Sequence, residues 1–483
     1  MPTIAWAWTP GRVDLSFGTG VVVGYHKKQY TADGRLRECG VEVIEMEGFE
    51  LGKGHGGAGA PLSAAVGAAR WIRTAAAGDA RARHWVANPD PRGRSALTPE
   101  PASLYGGAAG IVLFFLELAA ATGREEYLED ARAGVRYLVE AGPGVGDVTF
   151  HHGLGGIAVA LCEAGWVLGD GVAEEAAVAV LDRVARAARP MDGGPGWSGD
   201  PAQRGDGGVV LALLHGASML RAPSYAELAA EAGLRAARLA VPGHRFGDCE
   251  GLPADAVTPG FLAGTAGTAF LLARLYGVSG DARFLEAARR GADFVRSVSV
   301  LSGRRAMVPH HLPQGRGLHY LGFCSGSAGV ARMFVELYRA GGDPADLEWA
   351  ERLATGIVTS GVPGRRVPGL WDTACQCCGL AGLVELFVGL WAVTGREAYL
   401  GFARTLGEHL AGRASGDGGG LRWYQAFERV RPGVVSADTG YMAGAAGIGT
   451  ALLHLEAVGR GRRVILLPDN PFPAILAPSG MLP

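Results

Sequence analysis

This sequence has no excess of charge of either sign and contains few charged residues. Its formal net charge is −2, and Asp, Glu, Lys and Arg together make up 19% of the 483 residues. A clustered basic surface is the electrostatic signature of proteins that bind nucleic acids or anionic membranes. The composition therefore predicts neither a nucleic-acid surface nor an anionic-membrane surface.

Long uninterrupted apolar segments are also missing, although hydrophobic residues make up 48% of the chain. The longest apolar stretches begin at Phe261 and Cys377, and each meets an arginine or a glutamate before it reaches the roughly 20 residues that span a bilayer. The amino terminus lacks the basic region and long apolar core of a secretory signal. We therefore expect no membrane insertion and a location in the reducing cytoplasm.

Cysteine is scarce, with seven residues in all, but four of them lie close together in the sequence as Cys324, Cys375, Cys377 and Cys378. In a reducing compartment, clustered cysteines favour metal binding or catalysis over disulfides. Small cysteines can also serve only to fill tight space between packed helices. The choice between these interpretations depends on where the cysteines lie relative to the rest of the sequence pattern.

Glycine is abundant, with 78 residues, and it marks an internal repeat. A Gly-x-x-Gly signature followed by an apolar helical stretch occurs seven times, beginning at Gly107, Gly153, Gly205, Gly264, Gly326, Gly379 and Gly444. The spacing of about 45 to 65 residues is typical of repeat architectures, in which each unit buries its apolar face against its neighbours.

Each repeat combines two kinds of helical segment. The helix that follows the signature is apolar nearly all round, which indicates burial between other helices. A second segment has apolar residues at helical spacing with charged residues between them, as in residues 124–141, 281–298 and 396–413. Seven such pairs, closed on themselves, predict an all-α fold, an α/α toroid with seven inner and seven outer helices. Small residues at the start of each inner helix let the backbones converge near the axis.

We divide the chain into three parts. Residues 1–59 alternate β-branched and polar residues, which indicates a short amino-terminal extension, either a small β-hairpin unit or a poorly ordered segment, without an assigned role. Residues 60–457 form the predicted toroid domain. Residues 458–483 form a Pro-rich tail, which we expect to pack over the outside of the ring.

The cysteines of the fifth and sixth repeats fall at two neighbouring helix starts. Cys324 stands two residues before its signature glycine, and Cys377 and Cys378 stand directly before theirs. A helix amino terminus favours the thiolate form that zinc requires. Three protein ligands and one open position are the layout of a catalytic zinc. We predict one Zn²⁺ held by Cys324, Cys377 and Cys378, whereas a fourth ligand, Cys375, would make the site structural.

These motifs resemble those of a known family. Phe323–Gly326 (FCSG) and Cys377–Gly379 (CCG) are similar to the two zinc-bearing motifs of the lanthionine synthetase C-like family, Trp-Cys-Tyr-Gly and Cys-His-Gly. The glycine-rich helix starts resemble that family's α/α toroid along residues 100 to 457. The resemblance implies a zinc-dependent lanthipeptide cyclase, in which a peptide cysteine thiol adds to dehydroalanine or dehydrobutyrine and forms a (methyl)lanthionine thioether.

Such an addition needs a general acid that protonates the enolate carbon. The family's histidine before the glycine of the fourth repeat is replaced here by Ala263, and Thr149 stands where the family often has an aspartate. The candidates for the proton chemistry are His152, in the equivalent position of the second repeat, its neighbour His151, and His319 ahead of the fifth repeat.

Three functions stay open at this point. The first is a cyclase that acts on a precursor peptide dehydrated by a separate dehydratase. The second is a protein that adds glutathione or another small thiol to dehydroamino acids, and the third is a non-catalytic, zinc-containing scaffold that binds peptides. A glycosidase on the same kind of ring is disfavoured, because the helix starts carry thiols and histidines rather than paired carboxylates.

Overall fold

The computed structural model describes residues 59–79, 81–89, 100–239, 255–364, 373–426 and 432–477, and the backbone of 6–7, 23–30, 36–44 and 370–371. The chain divides into two units, Met1–Gly57 and Ala58–Pro483. The first unit contains an antiparallel sheet whose strands, in spatial order, are Trp6–Ala7, Val23–Tyr30 and Leu36–Ile44. This sheet agrees with the β-containing alternative for the extension.

Fourteen α-helices make up most of the described part of the second unit. The outer helices are α1 (Ala60–Thr74), α3 (Glu125–Ala141), α5 (Gly171–Arg186), α7 (Pro223–Leu239), α9 (Ala282–Val298), α11 (Pro344–Thr359) and α13 (Glu397–Gly412). The inner helices are α2 (Ala108–Thr122), α4 (Leu154–Leu168), α6 (Asp206–Met219), α8 (Thr265–Ser279), α10 (Ser327–Gly341), α12 (Leu380–Thr394) and α14 (Ala445–Ala457). No helix among the described residues combines the length and the apolar character needed to cross a bilayer.

Short strands occupy the connections between helices. Five antiparallel hairpins pair Ala76–Gly78 with Arg83–Trp85, Arg189–Met191 with Gly194–Gly196, Val300–Ser302 with Arg305–Met307, Ser415–Asp417 with Gly420–Arg422, and Gln425–Ala426 with Val435–Ser436. His319–Tyr320 pairs in parallel with Leu370–Trp371. A single 3₁₀ turn, Gly142–Gly144, follows α3 in the described chain.

The predicted toroid is confirmed. The first glycine of every signature caps an inner helix. The inner helices are deeply enclosed, and every residue of α12 from Leu380 to Ala392 is buried. Helix α14 packs against both α12 and α2, which closes the inner ring. Helix α1 packs against α14 and is the seventh outer helix, although it precedes the first repeat in the sequence.

The second glycine of each signature lets the preceding loop fold under the first turn of the inner helix. A Cβ at Gly329 would overlap the carbonyl oxygen of Phe323, and a Cβ at Gly382 would overlap that of Gln376. A larger residue at either position would displace a loop that carries a cysteine. The glycines of the signature therefore allow the loops to approach the ring axis. The sequence predicts this role for the small residues at the helix starts.

Residues two positions before the signature glycines are joined around the ring by backbone hydrogen bonds, and we call this belt the collar. Its members include Tyr105, His151, Leu262, Cys324, Cys377 and Met442. The Cys377 N–H donates to the Met442 carbonyl (2.8 Å), and the Met442 N–H donates to the Tyr105 carbonyl (2.9 Å). The belt continues from the Tyr105 N–H to the His151 carbonyl (2.8 Å). On the other side, the Cys324 N–H donates to the Cys377 carbonyl (3.2 Å).

The expectation that the carboxyl-terminal tail packs over the outside of the ring is wrong. Val464 is fully buried, Asp469 is 1% exposed and Phe472 is 5% exposed. Phe472 lies against Gly389 of α12, where a Cβ would overlap the phenylalanine ring. The apolar residues between Val464 and Phe472 lose their contact with water by packing against the rest of the ring, so this described part of the tail belongs to the core.

Two arginines anchor this tail to acidic residues of the inner helices. Arg462 Nη1 lies 2.7 Å from Glu117 Oε2, and Arg463 Nη1 lies 2.9 Å from Glu163 Oε2. The two glutamates occupy the same position of α2 and α4, ten residues after the signature glycine. A buried carboxylate requires a charged or hydrogen-bonding partner. The tail therefore neutralises charges that the ring alone would leave buried.

A third inner helix joins this network through His454 of α14. Its Nε2 lies 3.2 Å from Glu117 Oε1, and its Nδ1 lies 3.4 Å from Glu385 Oε1. Burial by itself lowers the pKa of His454, but the interactions with Glu117 and Glu385 outweigh burial and raise the pKa to about 9. The imidazolium is thus stabilised between two carboxylates in the folded protein.

We expect the free energy of unfolding to decrease as the pH rises from about 6.5 to about 9. An unfolded histidine has a pKa of about 6.5, so the stabilisation is fully present below that pH. It is lost as the pH rises through about 9, the folded-state pKa. Calorimetry should show the melting temperature of the wild type falling by roughly a few degrees over this interval. His454→Gln should flatten the slope, and an equally steep slope in this variant would contradict the assignment.

Candidate metal centre

Three sulphur atoms converge at the starts of α10 and α12. The Sγ of Cys324 lies 3.3 Å from the Sγ of Cys378, and the Sγ of Cys378 lies 3.7 Å from the Sγ of Cys377. All three Sγ atoms lie within 4.8 Å of one another. Cys324 and Cys377 are buried, whereas Cys378 is partly exposed. The structure thus brings together the three cysteines that the sequence predicts as ligands.

The spacing and the donor chemistry of this cluster fit zinc. Zn–S bonds of about 2.3 Å in a tetrahedral arrangement place sulphur atoms about 3.8 Å apart. The sulphur separations of 3.3 and 3.7 Å are close to that value. Thiolates are soft ligands that suit zinc better than magnesium or calcium. We therefore treat the three cysteines as one candidate metal site.

Close backbone approaches hold the two cysteine loops together. A Cβ on Gly322 would lie 2.7 Å from the Cα of Cys378, so only glycine allows the loops to meet at this point. Gln425 holds the second loop, because its Oε1 accepts hydrogen bonds from the N–H groups of Ala374 and Cys375, both at 3.0 Å. No sequence signature marks Gln425, which lies outside every Gly-x-x-Gly segment.

The three clustered thiols shift one another's pKa values in opposite directions. Hydrogen bonds from Cys377 and Cys378 lower the pKa of the Cys324 thiol well below its usual value. The hydrogen bond to Cys324 is the largest cause that raises the pKa of Cys377 and of Cys378 well above the usual value. A first thiolate is therefore favoured at Cys324, and the other two sulphurs stabilise it as donors.

Cys375 lies next to the cluster but outside the group of three sulphurs, and its thiol interacts with the thiol of Cys378. Its Sγ lies 3.1 Å from the Thr373 hydroxyl and accepts a hydrogen bond from the Cys378 N–H at 3.4 Å. It does not belong to the group of sulphurs within 4.8 Å of one another in the described structure. This geometry favours three protein ligands and an open fourth position over a closed four-thiolate site.

His152 lies at the outer edge of the site. Its side chain is 46% exposed, and its Nδ1 lies 2.7 Å from Glu100 Oε2. The imidazole stacks on the ring of Tyr105, with centroids 5.0 Å apart. Burial, followed by electrostatic interactions with the cysteine cluster, Cys377 first, raises the pKa of Tyr105 well above its usual value. Tyr105 thus connects His152 to the cysteine cluster, a link that the sequence analysis did not identify.

His319 and His310 lie ahead of Cys324 in the chain. His319 is half-buried, and its Nδ1 lies 3.1 Å from the Val308 carbonyl oxygen. His310 packs its ring against Tyr320, with centroids 4.2 Å apart. Besides the hydrogen bonds from the other cysteines, the charge of His310 lowers the pKa of Cys324. No sequence signature marks His310, which only the fold brings near the cluster.

His151, the remaining candidate, points into the ring. It is 3% exposed, and its ring centroid lies 6.4 Å from that of Phe323, the residue before Cys324. Its Nε2 lies 3.6 Å from Oδ2 of Asp469 in the carboxyl-terminal tail. An aspartate in a Pro-rich tail gives no sequence signal of such a contact, so only the fold identifies Asp469.

The fold and the cluster define a class of protein, the α/α toroids with thiols at the starts of two neighbouring inner helices. The sequence model of the family described as lanthionine synthetase C-like protein matches residues 98–460. The chain therefore belongs to the lanthionine synthetase C-like family. A second family model, arginine deiminase, matches only residues 5–60, a small share of the chain.

The chain is also similar to solved structures. Nisin cyclase matches with a TM-score of 0.55 and 15% identity, over 74% of this chain and 89% of that chain. An unsaturated glucuronyl hydrolase from Bacillus sp. GL1 matches with a TM-score of 0.46 and 18% identity, over 84% of this chain and 97% of that chain. The first match supports the shared toroid fold, and the second is too distant to inform function.

We expect the purified protein to contain about one zinc per chain, because the three clustered sulphurs form one site. Cys324→Ala should remove most of this zinc, and Cys375→Ala should leave it nearly intact as the matched control. Elemental analysis of both variants measures the outcome. Equal zinc content in the wild type and Cys324→Ala would show that the cluster does not hold the metal.

Proposed function

We propose that this protein is a zinc-dependent lanthipeptide cyclase. It would add peptide cysteine thiols to dehydroalanine or dehydrobutyrine and form (methyl)lanthionine thioethers. The observation that carries the proposal is the convergence of Cys324, Cys377 and Cys378 within 4.8 Å at two neighbouring helix starts of a lanthionine synthetase C-like ring. A dehydrated precursor peptide is the proposed substrate, with a separate dehydratase supplying it.

The chain's own residues account for the binding part of this chemistry. Cys324, Cys377 and Cys378 would hold zinc, which when bound supplies a position where an incoming thiol loses its proton at neutral pH. Cys378 is the most exposed of the three, so a substrate reaches the cluster from its side. The collar fixes Cys324 and Cys377 through their backbone groups, and no rearrangement of the loops is needed to keep them in place.

The addition also requires a proton at the α-carbon of the former dehydroamino acid. We propose His152 as the donor, because it lies at the solvent edge and contacts Tyr105, whose hydroxyl interacts with Cys377. The Glu100 carboxylate orients the imidazole through its contact with Nδ1. His319 is the alternative donor, although its Nδ1 is directed to the Val308 carbonyl.

Two other functions use the same site. A small thiol such as glutathione could replace the peptide cysteine, and then the reaction would be intermolecular. A scaffold without catalysis would bind the peptide and leave its dehydroamino acids unchanged, which the replacement of the family's histidine by Ala263 favours. Reaction with a single peptide that carries both a cysteine and a dehydroalanine separates these alternatives from the cyclase.

The zinc-loaded protein should accelerate the loss of free thiol from such a peptide, without a change in peptide mass. Mass spectrometry after thiol alkylation measures the loss, and added glutathione tests the intermolecular reaction. Cys324→Ala should abolish the acceleration, and Cys375→Ala should keep it. If the wild type accelerates neither reaction, the scaffold function is the correct one.

His152→Asn should slow turnover about a hundred-fold while zinc stays bound, because a general acid typically contributes at least that much. His319→Asn is the comparison variant and should change the rate far less. Steady-state kinetics with elemental analysis of each variant measures both effects. A normal rate for His152→Asn together with a slow His319→Asn would move the donor to His319.

A further inference from the structure

An imidazole and a carboxylate face each other inside the ring, next to Phe323, the residue before Cys324. His151 Nε2 lies 3.6 Å from Asp469 Oδ2, and the two side chains are 3% and 1% exposed. Among the described residues, neither nitrogen of His151 and neither carboxylate oxygen of Asp469 forms a hydrogen bond. Buried polar groups without hydrogen bonds are rare in proteins, because burial removes their bonds to water. This pair therefore calls for a role beyond packing.

The tail is held in a way that presents Asp469 to the site. The Asn470 N–H donates to the Leu467 carbonyl (2.9 Å), which places Asp469 at a tight turn. Arg274 of α8 donates to the Asn470 carbonyl (3.1 Å), and Asn470 Oδ1 accepts from the Phe472 N–H (3.0 Å). The hydrogen bonds of Asn470, the residue after Asp469, thus hold the turn against the inner helix α8.

The ring presents His151 at the same level as the cysteines. His151 stands two residues before Gly153, in the register that Cys324 and Cys377 occupy in their own repeats, and it is a member of the collar. Asp469 also lines a small cavity with Phe323 and Gln376, the residues directly before Cys324 and Cys377. The carboxylate therefore reaches the underside of the loops that carry the ligands.

We propose that His151 accepts the proton of the incoming thiol and that Asp469 is the positioning residue that orients its imidazole. This inference rests on the proposed function and deepens it. The carboxylate near Nε2 favours the tautomer with the proton on Nε2, which leaves Nδ1 as the acceptor. The Asp469 carboxylate also balances the positive charge of the imidazolium that forms when His151 accepts the proton. The tail thus supplies a part of the site that the seven repeats lack.

The proton and electron balance is complete without a further reactant. The thiol S–H bond breaks, and its proton goes to Nδ1 of His151. The sulphur electron pair forms the C–S bond to the β-carbon, and the π electrons move towards the α-carbon. The α-carbon then takes a proton from the proposed donor, His152. Afterwards His151 releases its proton to solvent, and His152 takes up a proton from solvent.

Calorimetric binding of 2-mercaptoethanol to the zinc-loaded full chain tests this inference without turnover. At pH 7 a free thiol, with a pKa of about 8.5, is mostly protonated. Titrations in two buffers of different ionisation enthalpy give the number of protons released per bound thiol. We expect about zero for the wild type, because His151 keeps the proton, and about one for Asp469→Asn and His151→Gln.

Arg463→Gln is the matched control, since it removes the ion pair of the tail with Glu163 and leaves Asp469 in place. It should lower the melting temperature and keep the wild-type proton count. Equal proton release from the wild type and Asp469→Asn would overturn the inference and leave the proposed function intact. Absence of thiol binding to the wild type would contradict the proposed function itself. Loss of the fold in both site variants would assign the pair a structural role and overturn the inference.

Discussion

The collar of backbone hydrogen bonds is the constraint on which the site depends. It links residues from repeats that are far apart in the sequence, such as Tyr105 and Met442, at one level around the axis. Because backbone groups form it, the side chains at these positions can vary between repeats while their placement stays the same. Cys324 and Cys377 occupy two of these positions, so the backbone hydrogen bonds of the collar set the distance between these two proposed ligands.

Glycine is what makes the collar possible. At Gly329 and Gly382 the missing Cβ lets each cysteine loop fold under the first turn of its own inner helix. At Gly322 the same absence brings the backbone of one cysteine loop against Cys378 of the other. The close approach of the loops therefore requires the repeated glycines, and the same approach brings the three thiols together.

The interior of the ring is polar as well as apolar, and the carboxyl-terminal tail completes it. Glu117 receives Arg462 from the tail and His454 from α14, while Glu163 receives Arg463. Removal of one partner from such a network leaves a buried charge without compensation, which is strongly destabilising. The tail thus neutralises buried carboxylates of the inner helices and also supplies Asp469, the carboxylate that faces His151.

The sequence by itself determined the toroid, the positions of the seven inner helices and the three clustered cysteines, because each has a local pattern. Helical periodicity and the Gly-x-x-Gly signature depend only on neighbours in the chain. The pairing of α1 with α14, the path of the tail and the contacts of Tyr105, His310 and Asp469 were decided by the tertiary structure. These contacts join residues that are distant in sequence, and no local pattern encodes which distant surface will bury an arginine, an aspartate or a proline-rich turn.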